Sequence, residues 1–247
     1  MHRSLRLTTL WLLFSCTAEQ PNFKAVTCEE NAQIDNPNLR RIFKPCRSFL
    51  YRAQYWDAER NLLSDELIRV DVPGRAWEYQ PESQDEIVIQ YQYRPEEVEK
   101  LETYSLNPEL TFWTTETTTG IIETADRVWM HPFRSNQYTF TEVAPFPEVH
   151  LPLSPGQRWS GNLHIHDGWG VWENSVLHDE YEVVNYDTLD SPLGQLNTWH
   201  IFSYTTAEFG TSTQDIWFHE DYGFVKMLVE NYRNQLLQFE LIEVEES

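Results

Sequence analysis

His164 and His166 stand one residue apart in the alternating stretch Trp159 to His166. On a strand, residues two apart point to the same face, so the two imidazoles could share a divalent metal. Glu173 and His178 follow downstream. A cupin-like site would set two histidines and a glutamate between framing glycines. Here Gly161 lies too close upstream, and Gly168 and Gly170 interrupt the interval. His164, His166 and His178 are therefore weak metal candidates, and no metal or other cofactor is assigned. A second set, His200, Asp215 and His219, falls on neighbouring expected strands and could converge. Serine hydrolysis would need a nucleophile on a sharp strand-to-helix turn. No G-x-S-x-G is present, and Ser160-Gly161 and Ser191-Pro192 lack that context. With 39 acidic residues, chance pairs of carboxylates are guaranteed, so glycosidase chemistry leaves no readable signature. Gly-rich phosphate loops, zinc cysteine clusters and calcium loops are also missing from the sequence. No catalytic residue is assigned.

The tryptophans are the other chemically useful set. Trp159, Trp169, Trp172, Trp199 and Trp217 all fall in the second half of the chain. Exposed indoles on a sheet stack sugars or grip acyl chains, whereas buried ones fill a core. Trp169, Trp172, Trp199 and Trp217 are the candidate ligand contacts, with core filling as their competing use. Cys28 and Cys46 form an even pair, which in an exported chain reads as a disulfide.

The elements that must position these residues are mostly strands. Ser48 to Tyr55 reads as a strand, followed by a charged bend at Asp57 to Asn61. Ile87 to Tyr93 alternates, with Ile87, Ile89, Tyr91 and Tyr93 on one face and Gln90 and Gln92 on the other, as in a half-buried strand. Pro95 and the acids after it open a short helix to about Tyr104. Gly120 to Met130 resumes strand character. From His131 to Gly156 the chain is rich in proline and aromatics, which excludes a central strand and predicts an ordered connection packed over the sheet. Trp159–His166, Leu177–Tyr186, Thr198–Glu208, Thr213–His219, Phe224–Asn231 and Leu236–Glu245 then read as strands joined by short turns. The expected fold class is mainly β: an antiparallel meander forming a curved sheet, half-barrel or sandwich, with one or two short helices. The expected segments are a signal peptide over 1–15, a lipidated tether over 16–27, a disulfide-pinned N-terminal β half over 28–130, a proline-rich connection over 131–156 and a C-terminal meander over 157–247.

The start of the chain carries a different kind of chemistry. Met1 to Arg6 is basic, Leu7 to Phe14 is mostly apolar, and Ser15 precedes Cys16. That order describes a secretory signal, and the apolar run is far short of the ~20 residues that cross a bilayer. Leu13, Ser15 and Cys16 resemble the lipobox of bacterial lipoproteins, with Phe14 bulkier than usual at its place. The resemblance implies that Cys16 is lipidated and becomes the new N-terminus. Thr17, rather than Asp, after the cysteine implies export to the outer membrane, facing the periplasm or the exterior. A looser resemblance runs through Asp215-Ile216-Trp217-Phe218-His219 to Tyr222-Gly223-Phe224-Val225-Lys226. It is similar to exported proteins of unknown function that look like the curved half-barrels of periplasmic lipoprotein carriers, and it covers at most residues 156 to 245.

Charge narrows the partners. The chain has a formal charge of −21, which becomes −23 once Arg3 and Arg6 leave with the signal. Such a surface repels phosphate backbones and excludes nucleic-acid binding as a function. It also repels anionic headgroups, so the lipid alone must hold the chain to a membrane. The aromatic content of 14% supplies a core and argues against wholesale disorder. Together these features predict a binding or scaffold protein of the cell envelope, holding an apolar ligand or contacting a partner protein. An anchored metal-dependent hydrolase and a carbohydrate-binding module are the alternatives.

Overall fold

The computed structural model describes residues 23–28, 41–110 and 113–246. The expected signal peptide and Cys16 lie outside the described residues. Twelve strands form one antiparallel sheet: β1 Arg47–Trp56, β2 Leu62–Asp71, β3 Asp85–Tyr91, β4 Glu116–Glu123, β5 Arg127–Met130, β6 Glu148–His150, β7 Arg158–His164, β8 Val176–Ser191, β9 Gly194–Ala207, β10 Gly210–His219, β11 Gly223–Glu230 and β12 Leu236–Glu246. Their order across the sheet is β6-β5-β4-β3-β2-β1-β12-β11-β10-β9-β8-β7. The first and last strands in the chain therefore meet at the centre, and the middle of the chain supplies both edges. The mainly β, curved-sheet expectation holds.

Turn chemistry accounts for the tight connections. Between β1 and β2, the Asp57 carboxylate accepts the Asn61 backbone N–H at 2.8 Å and its side-chain N–H at 2.9 Å. Between β11 and β12, Asn231 Oδ1 accepts the N–H groups of Arg233 and Gln235, at 2.9 and 3.0 Å. Asp and Asn favour such turns because a short side chain can replace a missing backbone partner. β8 and β9 are joined by the two residues Pro192-Leu193 between the paired Ser191 and Gly194.

The sheet curls until its edges face each other, but β6 and β7 do not share a backbone ladder. Side chains close that seam. His150 stacks on Trp159 with ring centres 5.0 Å apart, and Trp159 stacks on Tyr181 at 5.2 Å. Gln157 Nε2 donates to the His150 carbonyl at 2.9 Å, and the Tyr181 hydroxyl donates to the Phe146 carbonyl at 3.0 Å.

Proline-rich residues following β5 fill the barrel. Asn136–Val143 forms a 3-10 helical stretch, and every residue of it is buried. Phe133 meets Tyr51 and Phe239 at 5.2 and 5.0 Å, and Phe140 meets Tyr55 at 6.0 Å. The stretch bonds both locally and across the barrel: Thr141 Oγ1 donates to the Phe133 carbonyl at 3.0 Å, and Asn136 exchanges hydrogen bonds with the Thr114 backbone at 2.8 and 3.0 Å. The expected ordered connection is thus a plug in the concave face.

Three expectations change in detail. Ile87 to Tyr91 is buried on both faces, because the segment 23–28 lies over Gln90 and exchanges two hydrogen bonds with it through Lys24. Gly120 to Met130 is a hairpin rather than one strand, turning where Thr124 Oγ1 donates to Asp126 at 2.6 Å and accepts the Arg127 N–H at 3.1 Å. The helix after Pro95 is a 3-10 turn, Pro95–Glu97, followed by α1, Val98–Glu102. Among the described residues no helix is long and apolar enough to cross a membrane.

Candidate functional site at the barrel mouth

A cavity of about 430 Å³ opens at one end of the barrel. Its apolar wall comes from Ile42, Val128, Leu151, Leu153, Trp199 and Phe218, and its rim carries Arg41, Glu123 and Glu220. Each element has a reason to be there. Trp199 sits on β9 directly opposite Phe218 on β10 and Tyr186 on β8, with the Tyr186 ring 4.6 Å away. Leu151 and Leu153 flank Pro152 just after β6, where proline ends the strand. Residues 41 to 43 are bound by one carboxylate. Glu123 accepts the backbone N–H groups of Arg41, Ile42 and Phe43 at 2.7, 3.0 and 2.9 Å.

A buried arginine fixes the same corner. Arg47 is 4% exposed. Its Nη1 donates to the carbonyls of Arg41, Ile42 and Asp221 at 3.0, 2.9 and 2.7 Å, and its Nη2 donates to Glu246 at 2.7 Å. Arg47 thus joins the rim, the β10–β11 turn and β12. Cys46, beside it, is bonded to Cys28 with the Cα atoms 5.3 Å apart. The rim is therefore tied from below by Arg47 and the disulfide.

Of the four candidate tryptophans, Trp199 lines this cavity and Trp169 lines a separate crevice. Trp172 is 1% exposed and belongs to the core, with its indole N–H donating to the Tyr232 hydroxyl at 3.0 Å. Trp217 lies on the outer face, between the parallel His200 ring at 4.9 Å and the Lys226 ammonium at 5.4 Å.

The histidines divide likewise. His164 and His166 are exposed neighbours with ring centres 4.9 Å apart, and His178 is bonded to Asn162 at 2.6 Å. No group of three or more potential ligands comes together among the described residues. His200 does meet Asp215, at 2.6 Å, on the outer face of the sheet. His219 instead accepts the Asp221 backbone N–H at 3.1 Å. Burial lowers the His219 pKa, which favours the neutral ring.

Sequence reasoning missed Arg47, Glu123, Leu151 and Leu153. The leucines alternate around Pro152 as a strand face would, and that is the one signal that could have flagged them. Nothing local marks Glu123, whose partners lie some eighty residues away, or Arg47, which joins the nearby Arg41 and Ile42 to the distant Asp221 and Glu246.

Interior charges lie away from the mouth. Glu66 accepts hydrogen bonds from Gln137 at 2.5 Å and Tyr138 at 3.1 Å, and burial raises its pKa despite both bonds. Burial likewise raises the pKa of Glu142, which pairs with Arg134 at 2.9 Å. Desolvation pushes Asp179 up to about 6. His131, packed against Trp77, Trp129 and Phe146, is pushed down to about 3 by burial and stays neutral at physiological pH.

No family model and no curated protein matches the chain. Several solved structures are similar. One, from Bacteroides fragilis, is provisionally described as an exported protein with YmcC-like fold; it is 13% identical over 81% of this chain and 96% of its own, with a TM-score of 0.46. Another, from Parabacteroides distasonis, is provisionally described as a lipoprotein; it is 12% identical over 81% and 94%, with a TM-score of 0.43. The hypothetical lipoprotein YmcC of Escherichia coli K12 is 9% identical over 85% and 91%, with a TM-score of 0.38. All three TM-scores fall below 0.5, and identities this low carry no function from one chain to another.

Proposed function

We propose that this chain is a lipid-anchored protein of the bacterial outer membrane that binds an acyl chain at the mouth of its barrel, without catalysing a reaction. The mouth cavity carries this reading. Its volume of about 430 Å³ lies within the usual range for small-molecule sites, and its wall is apolar with charges confined to the rim. The plugged barrel interior turns attention from the concave face to the mouth. The anchor reading rests on Leu13, Ser15 and Cys16. Residues 23–28 are held over β3 through Lys24, so the linker runs from Cys16 to Phe23 and spans at most about 25 Å at ~3.5 Å per residue.

Two measurements test the two halves of the proposal. The fluorescent fatty acid cis-parinarate is titrated into the Cys16→Ser chain, with and without Leu153→Glu. Saturable binding, weakened at least about tenfold (about 1.4 kcal/mol) by the buried carboxylate, is expected. No saturable binding, or equal binding by both chains, would refute the acyl site. Separately, the full chain should fractionate with membranes and take up labelled palmitate, and Cys16→Ser should do neither. A Cys16→Ser chain that still fractionates with membranes would refute the anchor.

A further inference from the structure

A second opening lies between the inner face of β3–β4 and the start of the plug. It has a volume of about 240 Å³ and is lined by Ile89, Tyr91, Thr117, Thr119, Arg134 and Trp169, among others. Its floor is incompletely satisfied. The Thr119 hydroxyl is buried, in a residue only 3% exposed, and has no hydrogen-bond partner among the described residues. The Tyr91 hydroxyl, in a residue also 3% exposed, is buried beside Ser135 and Thr117, which interact with it. Buried hydroxyls without partners are uncommon, because each loses its hydration when it leaves water. The Thr119 hydroxyl, in a residue that lines the opening, would be satisfied by a ligand with polar groups.

The rest of the opening fits such a ligand. Trp169 supplies an indole at its edge, and the Arg134 guanidinium lies 5.6 Å from that ring. Among the described residues Arg134 bonds Glu142 through Nη1 at 2.9 Å, and its guanidinium fork carries further N–H donors. Trp169 is held in place through its backbone, whose carbonyl accepts Asn107 Nδ2 at 2.7 Å. At the next residue, Gly170, a Cβ would come within 2.5 Å of Asn107 Oδ1, so the loop can lie this close only with glycine there. An indole, a fixed guanidinium and inward hydroxyls in a space the size of one sugar ring are complementary to a pyranose. Its apolar C–H face packs on the aromatic ring, and its hydroxyls exchange hydrogen bonds.

We propose that this crevice is a saccharide site that holds one sugar unit, separate from the apolar mouth and independent of it. The test uses the Cys16→Ser chain with D-glucose, N-acetyl-D-glucosamine and D-glucuronate, each followed by the Trp169 indole N–H resonance, assigned with Trp169→Phe. At least one sugar should shift that resonance saturably. Thr119→Val, which removes only an unpartnered hydroxyl and keeps the shape, should weaken that sugar about tenfold while leaving the unfolding midpoint unchanged or raised. A failure of all three sugars to move the resonance at tens of millimolar overturns the proposal. So does a Thr119→Val chain that binds as tightly as its parent.

Discussion

Asp179 offers the sharpest test of how the interior is built. It sits on β8 facing inward, is 8% exposed, and accepts a hydrogen bond from Thr205 Oγ1. Desolvation dominates and raises its pKa to about 6; the Thr205 bond opposes the rise, Glu148 adds to it, and His178 reduces it. In the unfolded chain the same carboxyl ionises near 3.8. A raised folded pKa means that the native state holds the proton more tightly. This stabilisation is complete below pH ~4 and is lost as pH rises through ~6. The gap of about two pKa units corresponds to about 3 kcal/mol at 1.36 kcal/mol per unit. Asp179→Asn keeps the acceptor for Thr205 and removes the ionisation. Its stability should match the parent chain at pH 4 and exceed it by about 3 kcal/mol at pH 8, with the difference opening between those limits. Urea unfolding followed by tryptophan fluorescence, at one-unit pH steps, measures this directly. Glu66 and Glu142 titrate in both chains and cancel from the difference. A difference independent of pH, or an Asp179→Asn chain less stable than its parent at pH 8, would show that the native fold uses the ionised carboxylate and would refute the reasoning.

Three further outcomes follow from the corner below the mouth. Arg47→Met should destabilise the chain by about 3 kcal/mol in urea unfolding, because the carbonyls of Arg41, Ile42 and Asp221 lose a charged donor. Cys28→Ser with Cys46→Ser releases a loop with a sequence separation of 18 and should cost roughly 3 kcal/mol, with reductant reproducing the loss in the parent chain. Gly223→Ala should cost at least about 1 kcal/mol of stability: the residue has φ of +72°, and the new Cβ would lie 2.7 Å from Ile42 Cγ2. A midpoint for Gly223→Ala equal to that of the parent would show that the rim yields easily.

Much of the architecture is legible because strands and short turns write themselves locally. The strands from β7 to β12 follow period-two runs broken by Gly, Asn or Pro, although β8 runs on past the expected Tyr186 and β9 starts before the expected Thr198, the two meeting at Pro192-Leu193. The β4–β5 hairpin escapes because its turn, Thr124-Ala125-Asp126, has neither Gly nor Pro; the side-chain bonds of Thr124 make the turn instead. The burial of Gln90 escapes because the segment covering it lies over sixty residues away in the chain. The candidate site is less legible than the fold. Trp199 is visible as an aromatic on a strand, but the mouth also needs Ile42, Leu153 and Phe218, which come from three remote segments. A composite site of this kind has no spacing to read. Trp172 shows the reverse: it stands among exposed candidates in sequence and is buried by the fold.

The central pairing of β1 with β12, from Arg47↔Glu246 to Trp56↔Leu236, sets the order of assembly. Each hairpin on either side can form from near neighbours, but the join between the two sets closes a loop of nearly the whole described chain, and such closure is slow. Until β12 is made and docked, β1 carries an open edge of unpaired amides and carbonyls, and an open edge invites pairing with other chains. A chain stopped before Leu236 would leave both β1 and β11 exposed. The hazard of aggregation is therefore concentrated in the interval before the final strand arrives, and a chaperone that shields β1 during that interval would do more for yield than one that acts on the finished barrel.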